Sequence, residues 1–163
     1  MSMTKAVEAA ILEQTRQGLR LLLAVPSARA DGTAKVEDLE IAGPAGPLRA
    51  RYYEAADAGV APLLVYFHGG GFVCCDIDTH DSICSWLAKS SHGRVLSVGY
   101  RLAPETRFPG QIEDVRAACA WAFQNAQRFG AAPGKIALGG DSAGAYLAAT
   151  ISLEINRATP GAV

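Results

Sequence analysis

The apolar run Lys-Ile-Ala-Leu-Gly-Gly (135–140) leads into Gly140-Asp141-Ser142-Ala143-Gly144, and a helical pattern over 145–157 follows at once. Strand, tight turn and helix in that order restrict the chain to architectures in which a buried parallel strand delivers a serine above a sheet. Leu147, Ile151 and Ile155 recur four residues apart and give the helix its apolar face. Glycines at 140 and 144 leave room for a strained turn and for close strand–helix packing. Such a turn lifts the Ser142 hydroxyl above the sheet and aims the Ala143 N–H at the place where an oxyanion would develop. Gly-rich strand–helix turns are common, so this pattern alone does not assign catalysis.

A second motif changes its meaning. Leu63–Phe67 reads as another buried strand and runs into His68-Gly69-Gly70-Gly71-Phe72. Three successive glycines permit backbone conformations that point N–H groups into a site. A phosphate-cradling loop is the competing reading, but no Gly-Lys-Ser/Thr follows and the spacing misses the dinucleotide fingerprint. Acyl transfer needs donors preorganised where negative charge develops. A triple-glycine turn ending one strand can supply them beside a serine on a neighbouring strand.

Apolar runs and breakers lay out the rest of an α/β chain. An antiparallel pair is expected at about 36–42 and 48–54, joined by the hairpin loop Gly43-Pro44-Ala45-Gly46-Pro47. Parallel candidates follow at 62–67, 94–99 and 135–139 with helices between them, giving a mostly parallel sheet with flanking helices. Hydrophobic residues make up 50% of the chain, enough for one buried core. The proline-rich stretch 101–111 reads as a loop into a helix at about 110–129, with Arg101 and Glu105 as an expected structural ion pair.

At the N-terminus, Val7, Ile11, Leu19, Leu22 and Leu23 predict an amphipathic helix with that face turned inward and Glu8, Arg16 and Arg20 turned to solvent. The run 19–25 followed by Ala28-Arg29-Ala30 superficially resembles a signal peptide. Its apolar core is short, Arg20 interrupts it, and glutamates stand where a basic region belongs. Residues 26–35 read as a linker.

A net charge of −1 with acids and bases mixed along the chain offers no basic stripe for nucleic acid and no polybasic anchor. No apolar run approaches the length of a membrane span. Cys74, Cys75, Cys84 and Cys119 lack zinc-site spacing, so no metal is expected and reduced thiols in or near the core are the favoured reading, with a Cys74–Cys75 disulfide as the minor one. A cytoplasmic location is the simplest expectation from that cysteine usage.

His-Gly-Gly-Gly at 68–71 together with Gly-Asp-Ser-Ala-Gly at 140–144 resembles the hormone-sensitive-lipase-like branch of the α/β-hydrolase superfamily, the bacterial esterases that carry both motifs. Asp78-Thr79-His80-Asp81, Tyr100-Arg101-Leu102-Ala103-Pro104-Glu105, Phe108-Pro109 and Glu113-Asp114 ahead of Trp121 follow in that family's order. The likeness is dense over residues 60–150 and looser before them. Cys74-Cys75 after the glycine turn and Ala145-Tyr146 after the serine depart from the family's pattern, which bears on substrate fit.

The resemblance implies Ser142 as nucleophile, Gly70, Gly71 and Ala143 as oxyanion N–H donors, and His68, Gly69 and Asp141 as supporting motif residues, with His68 shaping the loop. It implies no cofactor and a small-molecule ester substrate with a short- to medium-chain acyl group. In such folds the triad runs Ser, then acid, then His along the chain. No histidine follows Ser142, and Glu154, the one acid after it, lies in the helix and is expected to face solvent. His80 and His92 are expected in structural or solvent roles. The chain is therefore expected to be the N-terminal half of such an esterase: a cap-helix segment at 1–30 and the first part of an incomplete α/β-hydrolase domain at 31–163. An unpaired sheet edge would make it aggregate, swap, or bind a complementing C-terminal chain or a second copy. The alternative is a non-catalytic ligand-binding or interaction protein on the same fold, as in the plant gibberellin receptors.

Overall fold

Strands β1 (Thr33–Gly43) and β2 (Gly46–Ala55) pair antiparallel across a tight turn closed by the Gly43–Gly46 pair, with Gly46 at a φ of 130°. The computed structural model describes residues 3–25, 29–31, 33–132 and 135–163. Three further strands, β3 (Leu63–Phe67), β4 (Arg94–Val98) and β5 (Ile136–Gly140), run parallel to one another. The sheet order is β1-β2-β4-β3-β5, with β2 antiparallel to β4. Helices α2 (Asp81–Ser90) and α3 (Gly110–Asn125) make the two crossovers between parallel strands, and α4 (Ala143–Ala158) follows β5. A 3-10 turn, Ala126–Phe129, extends α3 to the expected end of its helical stretch.

Alternation along the strands sorts the core onto two faces. Leu63, Val65 and Phe67 of β3 pack with Leu96 and Val98 of β4 against Val115 and Ala118 of α3 and Leu147 and Ile151 of α4. Tyr66 and Val95 point the other way, to Cys84 and Ala88 of α2. Helices thus cover both faces, which is why β3 reads as an unbroken apolar run and β4 carries Val95, Leu96 and Val98 on both of its faces. Full burial of a side chain such as Phe67 contributes on the order of 1.5–3 kcal/mol. β5 closes the list: among the described residues no strand pairs with its far edge.

The N-terminal helix α1 (Met3–Leu23) forms where periodicity placed it, but the opposite face docks. Val7 is 53% exposed, Ile11 58% and Leu22 76%. The anchors are the arginines. Arg16 donates from Nε to the Val73 carbonyl and from Nη2 to the Ala103 carbonyl, and it grips both Glu105 oxygens at 2.8 and 2.9 Å. Arg20 Nε meets Asp76 at 2.5 Å. A planar guanidinium that finds a carboxylate and two backbone carbonyls in fixed positions outcompetes the burial of a few leucines at the surface.

That arrangement also corrects the expected Arg101–Glu105 pair. Glu105 is taken by Arg16, and Arg101 turns its fork to Asp114 on α3, whose carboxylate is wholly buried and also accepts from the Arg101 backbone N–H at 2.9 Å. A buried carboxylate demands a charged partner more strongly than an exposed one does. The expected linker at 26–35 is shorter than its pattern, since β1 already begins at Thr33. Residues 26–28 and 32, including Ala28 of the signal-like pattern, lie outside the described residues. No described helix is long and apolar enough to cross a membrane.

Candidate active site

Phe67 and Gly140 are register partners at the ends of β3 and β5, so the chain segments leaving these two strands emerge side by side. One segment is the glycine turn, the other the serine turn. The carboxyl end of a parallel sheet is where α/β folds build their sites.

Ser142 sits between β5 and α4 with φ 48° and ψ −116°, a conformation a residue with a β-carbon adopts at a cost of about 1–3 kcal/mol. It is exposed, while Ala143 and Gly144 behind it are buried. The flanking glycines are required by packing. A β-carbon at Gly144 would fall inside the Phe67 and His68 carbonyls, and one at Gly140 inside the Phe67 carbonyl and the Gly144 backbone. The first turn of α4 therefore presses directly on the end of β3, and that contact holds the serine turn in its strained form. As the first helical residue, Ala143 has an amide with no intrahelical acceptor.

Asp141 joins the two turns. Its Oδ1 accepts from the Gly69 amide at 2.9 Å and the Tyr66 hydroxyl at 2.8 Å, and His80 Nε2 lies 3.2 Å away. Gly69 has no room for a side chain because the Asp141 carboxylate occupies that space. Burial alone would raise the Asp141 pKa. The Tyr66 hydrogen bond, the His80 charge and the Gly69 amide outweigh it and hold the group below the usual carboxylate range.

Beyond Gly69 the chain turns through Gly70 at φ 111° and Gly71 at φ 61°. The Gly70 carbonyl accepts from the amides of Val73 and Cys74 at 3.1 and 3.0 Å. Among the described residues, the amides of Gly70 and Gly71 donate to no protein acceptor. Donors left free at a helix N-terminus and in a glycine turn can receive a developing negative charge.

His68 is buried and stacked on Tyr100, with ring centroids 4.4 Å apart and planes 11° from parallel. Its Nδ1 lies 2.7 Å from the Gly69 carbonyl, which only accepts, so the proton is on Nδ1. Burial pushes its pKa down to about 4, leaving a neutral ring that braces the turn. Tyr100 donates to the His68 carbonyl at 2.7 Å. His80 is also buried, between Asp141 and the Thr79 hydroxyl, and the exposed His92 pairs with Asp57. None of the three histidines hydrogen-bonds to Ser142. Glu154 pairs with Arg116 at the surface of α4.

Beside the glycine turn lies an apolar cavity of about 410 Å³, walled by Gly71, Phe72, Phe108, Ile112, Tyr146 and Leu147. Phe72 and Tyr146 meet edge to face at 6.1 Å across it. Tyr66 and Arg16 are the contributors that sequence reasoning missed, whereas His80 was expected in a structural or solvent role and is buried against Asp141 and Thr79. Tyr66 had a signal: period-two alternation puts it on the opposite face from Val65 and Phe67, where a phenol needs a polar partner. Among the described residues, no group of three or more His, Cys, Asp or Glu side chains is placed to hold a metal ion.

A mixed sheet flanked by helices, with a strained serine turn and a glycine turn at its carboxyl end, is an α/β-hydrolase arrangement, and this chain belongs to that family: residues 64–162 match the family described as alpha/beta hydrolase fold. Among curated relatives, it is 49% identical over 117 residues to the carboxylic ester hydrolase LipN of Mycobacterium tuberculosis, covering 71% of this chain and 31% of the relative. It is 45% identical over 144 residues to esterase LipI of the same organism, covering 86% of this chain and 44% of the relative. Among solved structures, the carboxylesterase EstE1 from a metagenomic library superposes with a TM-score of 0.85 at 38% identity, covering 93% of this chain and 52% of that one. An esterase from Pyrobaculum calidifontis gives 0.84 at 38%, covering 93% and 50%. The chain thus spans a third to a half of these proteins' lengths.

Proposed function

We propose that these residues are the nucleophile-bearing part of a serine carboxylic-ester hydrolase. Ser142 Oγ attacks the ester carbonyl, and the amides of Gly70, Gly71 and Ala143 receive the resulting oxyanion. A general base takes the Ser142 hydroxyl proton during the attack and gives it to the alkoxide, which leaves as the alcohol; water, deprotonated by the same base, then hydrolyses the acyl group and the proton returns to Ser142 Oγ. Asp141 and Gly69 hold the serine turn and the glycine turn in register, and His68, neutral and stacked, keeps the glycine turn in shape. A general base must come within about 2.6–3.2 Å of the serine oxygen. No described histidine does so, and the base and its orienting carboxylate come from outside the 163 residues.

The observation that carries this reading is Ser142 held at φ 48° in the turn that follows β5, the strand paired with the one that leads into the glycine turn and its free amides. The apolar cavity beside that turn suits a short- to medium-chain acyl group, and α1, clasped by Arg16 to the same loop, serves as part of a cap over it. The open edge of β5 receives a complementing segment that brings the base. Ser142→Ala in the complete enzyme should lower kcat by at least about 10⁴-fold with little change in KM. Retained turnover would sink the assignment. Ligand binding without turnover is the rival reading, favoured by the lack of a described base beside Ser142. A protein that carries its base, binds esters and leaves them intact would establish it.

A further inference from the structure

Cys74 and Cys75 follow the glycine turn, and nothing in the proposed ester chemistry uses them. Successive side chains on an extended strand point to opposite sides. Here Cys75 takes a φ of 67°, so the dipeptide is not extended and its two side chains are not forced to opposite sides. Both are half-buried, and Cys75 lines a solvent-reaching cavity of about 250 Å³ together with Asp76, His68 and Tyr100. The other two thiols, Cys84 and Cys119, are fully buried on opposite faces of the sheet.

The pair is built into the turn. Cys74 Sγ donates to the Gly70 carbonyl at 3.1 Å, and the Cys74 amide donates to the same oxygen at 3.0 Å. A β-carbon at Gly70 would strike the Cys74 carbonyl and the Cys75 β-carbon, so Gly70 lies directly on this dipeptide. Any group that bridges the two sulfurs must alter the contacts that hold Gly70.

We propose that Cys74 and Cys75 form a two-thiol capture site for trivalent arsenicals, seated against the Gly70 turn. An arsenoxide, R–As=O, condenses with both thiols. Two As–S bonds form, two S–H bonds break, and the arsenyl oxygen leaves as water carrying both protons. Arsenic remains trivalent, so no oxidant or reductant is needed. Burial, and after it the Cys74 neighbour, hold the Cys75 thiol above its usual pKa, so it meets the reagent protonated. Two sulfurs held on one arsenic bind on the order of 100-fold more tightly than one, because the second bond is intramolecular. Capture removes the Sγ–H donor from the Gly70 carbonyl and loosens the turn.

Phenylarsine oxide added to the folded protein isolated from its source, followed by intact mass spectrometry and peptide mapping to Cys74 and Cys75, tests this directly. One phenylarsenic group per chain is expected, stable to a monothiol wash and released by a dithiol. Cys74→Ser and Cys75→Ser should each lower the apparent affinity on the order of 100-fold. Hydrogen exchange should speed up at the Val73 and Cys74 amides in the captured protein. No mass gain, or capture that survives in both single variants, overturns the site, and unchanged exchange overturns its link to the turn. These readouts need no ester turnover, so their failure is distinct from failure of the hydrolase reading.

Discussion

The serine turn and the N-terminal helix are held by different kinds of force. Ser142 is fixed by backbone packed on backbone, with Gly140 and Gly144 pressed on the end of β3, and by a carboxylate that ties it to Gly69. Helix α1 has no buried residue and is fastened by two arginine forks reaching Glu105, Asp76 and two loop carbonyls. Close packing has one arrangement and tolerates little change. Ion pairs near water contribute modestly each and release readily. The serine turn is thus a rigidly packed centre, and α1 an element fastened to the loops beside it by contacts that can release.

The comparison breaks first at Gly144. Gly144→Ala places a methyl group inside the Phe67 carbonyl, a backbone atom that cannot swing away, and should cost at least about 3 kcal/mol by denaturant unfolding. A loss below about 1 kcal/mol would mean that the serine turn is less tightly packed than described.

Next in size is a pH effect centred on His68. Its folded pKa of about 4 lies below the ordinary value of 6.5, so the unfolded chain binds the extra proton between these values. Stability from this group is complete above about pH 6.5, falls as the pH drops, and is gone below about 4. Between pH 7 and 5 the loss should be about 2 kcal/mol. Unfolding curves at the two pH values should show a shallower fall in His68→Gln, and an equal fall would remove His68 as its source.

The smallest effect belongs to the helix. Arg16→Ala should lower global stability by less than about 1 kcal/mol while hydrogen exchange over Met3–Leu23 accelerates several-fold. Unfolding of the whole protein by this change would erase the distinction between the packed serine turn and the ion-paired helix.

The same contrast explains what could be read from the residues alone. The strands and both motifs were legible because strands covered on both faces are rich in apolar residues and because each motif is a short local pattern; Gly70 and Gly71 answer to local backbone demands, whereas Gly69, Gly140 and Gly144 answer to neighbours distant in sequence. Position 142 in a strand–turn–helix needs no knowledge of distant neighbours. The docking face of α1 was not legible. Arg16 meets Glu105 across 89 positions of sequence, and helical periodicity cannot say whether leucines or arginines will find the better partners. Arg101 shows the same limit: its near neighbour Glu105 was the local choice, and the buried Asp114 won through the fold. Asp141 was legible as a motif residue, whereas its partners Tyr66 and His80 depend on how β3 and the segment before α2 converge.

The most direct test of the central claim is mass spectrometry of the protein, isolated from its source, after exposure to a fluorophosphonate. Attack by an activated serine oxygen displaces fluoride and leaves one phosphonyl group per chain. The expected result is a single adduct that peptide mapping places on Ser142 and that Ser142→Ala removes, in a protein that carries its general base. A folded protein carrying its base that stays unlabelled, or is labelled at another serine, would contradict the assignment of Ser142 as the nucleophile.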